Sequence, residues 1–280
     1  MHDEENQRQK RKTIHFNYYY KIIFLQYYFI LLYYMITIKK NPEIKLDIPS
    51  FNCDENAVGE HLNAHDLTKF LNVYGFLVII GRPGFGKTSL AISFITQKKP
   101  IIYRKTHHHV LILMPDNSIS SLKKNPFAKL DSENIYNELT DSTVSEIYNK
   151  IESYSKDDEK TLLFVDDMTA SLKSSSYIQE TLKKLIYNRR HLKLNIIITV
   201  QSFCNIPLDI RKSIQNMILF KPSKKEFELV FDELFECKKD MALNIMNVAY
   251  EDKHNFLFMN VPSQRLFKNF DELLIKDTEE

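Results

Sequence analysis

A glycine-rich turn between a hydrophobic run and an amphipathic stretch constrains the fold of this chain more than any other feature. The segment FLVIIGRPGFGKTSLAISF covers residues 76–94. Its centre, Gly81-Arg82-Pro83-Gly84-Phe85-Gly86-Lys87-Thr88, fills every fixed position of the Walker A pattern G-x-x-x-x-G-K-[ST]. Three of the five glycines in the 280 residues lie in this window. The sequence therefore predicts a strand, a tight turn and a helix in that order.

The residue types in this turn suit the binding of a phosphate group. Glycine adopts backbone torsions that other residues resist, so successive N–H groups can curl around an anion. The following helix adds its free N–H groups and the positive end of its dipole. We predict that Gly81 to Ser89 bind the phosphates of ATP, with Lys87 at the β- and γ-phosphates and the Thr88 hydroxyl on Mg²⁺. The alternative is a glycine-rich turn that binds nothing.

The composition excludes several other classes of protein. Lys+Arg number 38 against 36 Asp+Glu, and the net charge of +2 gives no overall polybasic character that would indicate nucleic acid or membrane binding. Hydrophobic residues make up 44% and charged residues 26%, which is ordinary globular usage and argues against disorder. Cys53, Cys204 and Cys237 form no C-x-x-C pair. A disulfide scaffold or cysteine zinc site is therefore not expected, and a reducing compartment fits.

Residues 1–40 form a separate N-terminal segment that is first polar and then apolar and aromatic. From Ile22 to Ile38 only Gln26 and Thr37 interrupt the apolar run. This length is at the short end of the roughly 20 residues that a membrane-spanning helix needs. Three interpretations stay open: a membrane anchor over residues 18–38, a buried or interfacial helix, and a stretch upstream of a true start at Met35.

The rest of the chain has the sequence pattern of an α/β domain. Residues 41–71 are a polar connecting segment, and residues 72–280 alternate short apolar runs with amphipathic stretches. Such runs, rich in β-branched and aromatic residues, predict a buried, mostly parallel sheet with helices on both faces. The predicted strands are Phe76–Ile80, Val110–Met114, Leu162–Val165, Ile196–Val200, Met217–Phe220, His254–Met259 and Arg265–Phe270.

Four helices are predicted between the strands: Thr88–Thr96, Thr143–Tyr154, Ser176–His191 and Glu226–Phe235. The second is expected to begin with a capping box from Thr143 to Glu146, and the third with the same spacing from Ser176 to Gln179. A turn is predicted at Pro262-Ser263.

Two carboxylates follow the run TLLFV, and we predict a metal-binding role for the first and a catalytic role for the second. A carboxylate at the carboxyl end of a sheet strand lies at the ligand-binding edge of an open α/β sheet. Asp166 can hold there the Mg²⁺ that Thr88 also binds, the Walker B role. Asp167 points to a different side and can orient and deprotonate the attacking water. The alternative is a turn-capping Asp166 beside a solvated Asp167.

Three further features remain ambiguous from the residues alone. Gln201 ends the run NIIITV and can bind the attacking water or the γ-phosphate, or else a loop carbonyl. Arg190 ends a predicted helix, as an ordinary dipole partner or as an arginine finger in a neighbouring subunit's site. The triplet His107–His109 precedes a strand without acidic or cysteine neighbours in the sequence, so we interpret it as a polar strand entrance.

With these residues identified, the chain resembles the genome-packaging ATPases of large DNA viruses, the poxvirus-type branch of the superfamily that contains FtsK and HerA. The resemblance covers roughly residues 70–270 and rests on ordered blocks: the phosphate loop, LLFVDD, NRRHLKLNIIITVQS, IPLDIRKSI and LFKPSKKEFELVFDEL. The Arg190-His191 pair and Gln201 match positions of that family, which implies an arginine-finger role for Arg190. The double Asp also looks like the poxvirus branch. The aromatic N-terminal segment lies outside the family's core.

The resemblance implies a RecA-like P-loop fold of the additional-strand type and a homo-oligomeric ring. It also implies ATP- and Mg²⁺-dependent movement of double-stranded DNA, without sequence preference, into a capsid through capsid or portal components. The expected location is the host cytoplasm, in a viral factory, or the virion, with membrane association only if residues 18–38 span a membrane. Three other functions compete: a membrane-anchored DNA pump or conjugation-type coupling ATPase, a P-loop kinase of small molecules, and a slow nucleotide switch.

Overall fold

The short apolar runs form strands of one sheet, and amphipathic stretches between them form helices. The computed structural model describes residues 35–39, 71, 74–99, 101–122, 125–168, 175–235 and 237–276. The chain divides into two compact units, residues 1–37 with 274–280 and residues 38–273. The larger unit contains the glycine-rich turn and both aspartates.

The described strands are β1 (Met35–Lys39), β2 (Phe76–Ile80), β3 (His109–Leu113), β4 (Ile135–Tyr136), β5 (Thr161–Asp166), β6 (Leu194–Val200), β7 (Asn216–Phe220), β8 (Phe256–Asn260), β9 (Arg265–Lys268) and β10 (Asp271–Lys276). The described helices are α1 (Lys87–Thr96), α2 (Asp116–Ser120), α3 (Asp141–Lys156), α4 (Ser176–Asn188), α5 (Leu208–Arg211), α6 (Lys224–Leu234) and α7 (Lys239–Ala249).

The sheet of the larger unit is parallel over most of its width. Strands lie side by side in the order β4-β3-β5-β6-β2-β7, and each neighbouring pair among them is parallel. Strands β8, β9 and β10 continue the sheet beyond β7 in antiparallel pairs. This arrangement confirms the predicted mostly parallel α/β sheet. Strand β6 lies between the phosphate-loop strand β2 and the aspartate strand β5, as the additional-strand type requires.

The register of these three strands brings their carboxyl ends to one level. Ile80 of β2 pairs with Val200 of β6, and Thr199 of β6 pairs with Asp166 of β5. Because the strands are parallel, the residues that follow them emerge at the same edge of the sheet. Gly81, Gln201 and Asp167 therefore become neighbours.

Both faces of the sheet are buried, which explains why its central strands are apolar throughout. Side chains alternate between faces, and Leu77, Ile79, Phe164 and Ile197 belong to one core cluster together with residues of α1. Helices α3 and α4 pack against each other, and α3 contacts β5. Right-handed crossovers require α1 to lie on one face, and α3 and α4 on the other.

Two helices are capped by different residues from those predicted. Helix α3 is capped by Thr140, whose Oγ1 accepts the Thr143 N–H at 3.1 Å. Helix α4 is capped by Ser175, whose Oγ accepts the N–H groups of Tyr177 and Ile178. The predicted caps at Thr143 and Ser176 are wrong because each helix has a second hydroxyl residue earlier in the chain, and only that one keeps an extended backbone.

The predicted strand Arg265–Phe270 is interrupted by a hairpin. Asn269 and Phe270 have φ values of 49° and 77°, and Lys268 pairs with Asp271. A two-residue turn with positive φ at both positions matches the twist of the flanking strands. The Phe270 ring packs on Phe94, Phe256 and Phe258. This buried contact offsets a torsion that is costly for an aromatic residue.

Helix α7 was not predicted. Its N-cap residue, Lys238, provides no side-chain cap, so the usual sequence signal for a helix start is missing. Of the predicted N-terminal and connecting segments, only residues 35–39 and 71 are among those described. Within the described residues, no helix is both long and apolar enough to span a membrane.

The caps give a direct test of the helix boundaries. We predict that Ser175→Ala lowers the free energy of unfolding by about 1 kcal/mol, because the first turn of α4 loses its hydroxyl acceptor. Urea denaturation with a circular dichroism readout measures this change. The matched control Ser176→Ala removes an exposed hydroxyl one residue later and should change stability by less than about 0.5 kcal/mol. Equal losses in the two variants would contradict the assigned boundary.

Candidate nucleotide-binding and hydrolysis site

The phosphate loop connects β2 to α1, and each of its glycines has a separate structural reason. A Cβ on Gly81 would lie 2.8 Å from Phe220 Cβ, so only glycine fits against β7. Gly84 and Gly86 have φ values of 76° and 95°, in the left-handed region that favours glycine. Arg82 and Pro83, which lie between Gly81 and Gly84, are exposed. The loop thus presents its backbone to a ligand at the sheet edge.

Lys87 begins α1 and is almost fully buried. Its Nζ donates to the Arg82 carbonyl oxygen at 3.3 Å, so the side chain folds back over the loop. Burial lowers the pKa of the Lys87 ammonium, and the charges of Asp167 and Asp166 partly oppose this shift. The structure therefore brings the predicted lysine and both predicted carboxylates into one electrostatic neighbourhood.

Asp166 ends β5 and is buried, with 1% of its surface exposed. Its Oδ1 accepts hydrogen bonds from Thr88 Oγ1 at 2.9 Å and from Thr199 Oγ1 at 2.7 Å. Burial raises the pKa of the Asp166 carboxyl, whereas the two hydroxyl donors and Lys87 act to lower it. The structure thus places the Thr88 hydroxyl beside the Asp166 carboxylate, as the sequence predicts.

These two residues fit a magnesium ion. Mg²⁺ prefers oxygen ligands and is commonly bound through one or two carboxylates together with substrate phosphates. The Thr88 hydroxyl and the Asp166 carboxylate are such ligands and already lie within hydrogen-bond distance of each other. No group of three or more His, Cys, Asp or Glu side chains suited to a metal occurs in the described part of the chain. A site shared between protein and nucleotide therefore fits better than an all-protein cage.

Asp167 follows β5 in a strained conformation. Its φ is 49°, in the left-handed region. Its N–H donates to Thr199 Oγ1 at 3.0 Å and to the Thr199 carbonyl at 3.3 Å. Strained torsions of this kind concentrate at functional sites, where the surrounding structure holds them in place. The side chain is directed to partners different from those of Asp166.

The partner of the Asp167 carboxylate is Gln201. Gln201 Nε2 donates to both carboxylate oxygens, at 3.1 and 2.9 Å. Sequence reasoning considered water, phosphate or a loop carbonyl for this amide, and it missed the carboxylate. The chain after Gln201 is fixed in turn, because Glu226 Oε1 accepts from Ser202 Oγ and from the Phe203 N–H, both at 2.7 Å.

Thr199 and a loop before β8 are further neighbours that sequence reasoning missed. Thr199 contacts both aspartates, and its signal is a hydroxyl inside an otherwise apolar run, two residues before Gln201. In the loop, His254 Nδ1 lies 3.4 Å from the Phe85 carbonyl oxygen, and Lys253 Nζ lies 5.8 Å from the centre of the Phe85 ring. No sequence signal marked that loop.

Arg190 does not join this group within one subunit. It precedes β6, whereas Gln201 follows it. Seven strand residues therefore separate the two positions by roughly 20 Å. Arg190 is exposed, while its neighbour Arg189 is anchored through Nη1 to the Ile186 carbonyl oxygen. Arg190 therefore lies at the opposite end of β6 from the phosphate loop of the same chain.

The histidine triplet lies at the amino end of β3. This is the edge of the parallel sheet opposite to the one that carries the phosphate loop. His107 Nε2 contacts Asn195 Oδ1 at 2.9 Å, and His108 Nδ1 accepts the Lys160 N–H. His109 Nε2 lies 2.5 Å from Glu159 and its ring stacks on Tyr154. An acidic partner is thus present in space although none is near in sequence, and the three imidazoles have separate partners.

The chain is similar to a known protein family and to solved structures of nucleotide-hydrolysing proteins. The family model described as "Poxvirus A32 protein" matches residues 63–271. No curated protein matches the chain by sequence.

Among solved structures, B204, the DNA-packaging ATPase from Sulfolobus Turreted Icosahedral Virus, superposes with a TM-score of 0.54 at 18% identity and covers 70% of this chain and 97% of its own. The genome packaging NTPase B204 from Sulfolobus turreted icosahedral virus 2, in complex with ATP-gammaS, gives a TM-score of 0.52 at 16% identity, with coverage of 70% and 97%. At these identities the likeness shows the fold, which is that of a P-loop ATPase.

The family match spans well over half of the 280 residues. It includes the phosphate loop, both aspartates, Arg190 and Gln201. The resemblance to viral genome-packaging ATPases is confirmed, and with it the predicted ATPase activity. The chain belongs to the poxvirus A32 family of viral DNA-packaging ATPases.

Proposed function

We propose that this chain is the motor subunit that hydrolyses ATP to move double-stranded viral DNA into a capsid. The observation that carries the proposal is the 2.9 Å contact between Thr88 Oγ1 and Asp166 Oδ1. It joins the end of the phosphate loop to the aspartate strand at the edge where parallel sheets bind ligands. Family membership supports DNA as the substrate and an oligomeric assembly.

The phosphate loop is proposed to bind the triphosphate of ATP. Gly81 to Ser89 offer backbone N–H groups and the start of α1, and the cap residue Gly86 places no side chain over that helix end. Lys87 supplies a positive charge that water does not screen, because the side chain is 7% exposed. This charge is suited to the β- and γ-phosphates.

Thr88 and Asp166 are the proposed magnesium ligands. The ion, when bound, neutralises charge on the phosphate oxygens during transfer. The protein's contribution is to hold both ligands in place before binding: Thr88 on the first turn of α1, and Asp166 at the end of a fully buried strand.

Asp167 is the proposed base for the attacking water. Its carboxylate accepts two hydrogen bonds from Gln201 Nε2, and each oxygen has a further lone pair that can take a proton from water. Gln201 thereby fixes the direction in which Asp167 presents those lone pairs. In this proposal Gln201 acts on the water through Asp167.

Arg190 is the proposed arginine finger, acting across a subunit interface. Its place at the opposite end of β6 from Gln201 supports action in trans. A homo-oligomeric ring would bring one subunit's Arg190 to the next subunit's phosphate loop. Such a ring can hold duplex DNA by its backbone, without sequence preference, against capsid or portal components in the host cytoplasm or the virion. Membrane association would depend on residues 18–38.

DNA dependence separates this function from its competitors. We predict that double-stranded DNA raises the steady-state ATPase rate several-fold, because a motor couples hydrolysis to its track. The measurement is phosphate release with and without duplex DNA, on proteins beginning at Met1 and at Met35. A rate indifferent to DNA, with transfer of phosphate to a small acceptor, would support a kinase instead.

Two substitutions separate binding from hydrolysis. Lys87→Ala should abolish binding of a fluorescent ATP analogue, because the buried charge beside the phosphates is lost. Asp167→Asn should keep binding but lower kcat by about 100-fold or more, since an amide cannot accept the proton. Asparagine tolerates the left-handed backbone at this position.

Each of these variants has a matched control. Lys98→Ala removes an exposed lysine just after α1. Asp158→Asn changes an aspartate with a similar φ of 65° before β5, at the other end of that strand from Asp167. Both controls should bind and hydrolyse ATP as the wild type does. Normal turnover in Asp167→Asn would remove the assigned role.

Mixed subunits test the arginine finger. We expect Arg190→Ala and Lys87→Ala proteins to be inactive alone and partly active when mixed, because one supplies an intact nucleotide site and the other an intact Arg190. ATPase activity is measured across mixing ratios. Lys184→Ala, which changes an exposed lysine of α4, serves as the control and should stay active alone. Absence of any recovery in the mixture counts against action in trans.

A further inference from the structure

A single buried hydroxyl connects the two aspartates of the proposed site. Thr199 lies on β6 with no exposed surface. Its O–H donates to Asp166 Oδ1 at 2.7 Å, and its oxygen accepts the Asp167 N–H at 3.0 Å. We propose that Thr199 is a positioning residue that holds both aspartates for hydrolysis. This inference rests on the proposed function.

The contact with Asp166 fixes the proposed magnesium ligand. Asp166 Oδ1 has two hydroxyl neighbours, Thr88 and Thr199. The Thr88 hydroxyl is itself a proposed ligand of the ion, so it both contacts Asp166 and would coordinate Mg²⁺. Thr199, on the intervening strand β6, is not a proposed ligand of the ion. It is therefore the residue that keeps the carboxylate in one orientation whether or not an ion is bound.

The contact with Asp167 acts on the backbone. Asp167 adopts a φ of 49°, and its N–H is directed at the hydroxyl and carbonyl oxygens of Thr199. A conformation that is unfavourable for most residues persists when surrounding groups hold it. The left-handed torsion turns the chain away from the strand, and the Asp167 carboxylate then meets Gln201. Thr199 thus supports the base through its main chain.

The hydroxyl, and not the size of the side chain, is what the two contacts use. Valine has nearly the same shape and suits a buried strand, but it neither donates nor accepts. Serine keeps the hydroxyl and loses only a methyl group. Thr199→Val and Thr199→Ser therefore separate positioning from packing.

The experiment compares these variants in the full chain with duplex DNA present. Thr199→Val should lower kcat by about 30- to 100-fold, as misplaced catalytic groups do, and should raise KM for ATP because Mg²⁺ is held less well. Thr199→Ser should retain kcat within about threefold. A second readout is binding of a fluorescent ATP analogue with Mg²⁺ and with chelator: Thr199→Val should lose most of the gain in affinity that Mg²⁺ gives, and Thr199→Ser should keep it.

A matched control is available in the neighbouring strand. Thr161 begins β5 and is also fully buried, and its hydroxyl has no hydrogen-bond partner among the residues that the structure describes. It lies at the end of the strand away from Asp166, so Thr161→Val should leave kcat and the Mg²⁺ effect unchanged. Thermal unfolding of every variant checks the fold. If Thr199→Val does not fold, Thr199→Cys, with its weak donor and acceptor, should show the same loss.

The outcomes are distinct. Thr199→Val with near wild-type kcat, or Thr199→Ser as damaged as Thr199→Val, would overturn the positioning role while DNA-stimulated hydrolysis by the wild type still supports the motor. A wild type without ATPase activity would overturn the motor, and the role of Thr199 with it.

Discussion

The hydrogen bond between Thr88 and Asp166 is the interaction on which the rest of the site depends. It links the start of α1, which follows β2, to the last residue of β5, and β2 and β5 are not neighbours in the sheet. The contact forms because β6 fills the space between them with a level, parallel register and contributes Thr199 at that point. A shift of β6 by one residue would turn Thr199 to the other face of the sheet. The geometry of the site therefore depends directly on the order and register of the strands.

The site gathers groups that are individually unfavourable for stability. A buried ammonium at Lys87, a buried carboxylate at Asp166 and a left-handed torsion at Asp167 each carry a cost. The opposite charges and the hydroxyl donors offset part of it. Among the described residues, the hydrogen bond of Lys87 is a 3.3 Å contact to the Arg82 carbonyl oxygen. The proposed phosphate would add negative charge and further oxygen acceptors beside this ammonium.

Strand β6 connects two functional ends. Gln201 follows it beside the subunit's own phosphate loop, and Arg190 precedes it on the opposite side of the sheet. All seven strand residues are buried, and each pairs with β2, with β5 or with both. Under the proposed arginine-finger role of Arg190, the Asp167–Gln201 pair and a neighbouring subunit's nucleotide would lie at opposite ends of this strand.

The sequence by itself determined the features that depend on local residue order. The turn between β2 and α1, the apolar strand runs and the position of the two aspartates at the carboxyl end of β5 were predicted correctly, because these features depend on consecutive residues. Only the tertiary structure decided which hydroxyl capped each helix, that Asn269-Phe270 forms a turn, and that Gln201 binds Asp167. It also decided that Thr199 makes hydrogen bonds with both aspartates and that Arg190 lies far from the phosphate loop of the same chain. These features depend on the pairing of distant strands and on backbone torsions imposed by that packing, which no single stretch of sequence specifies.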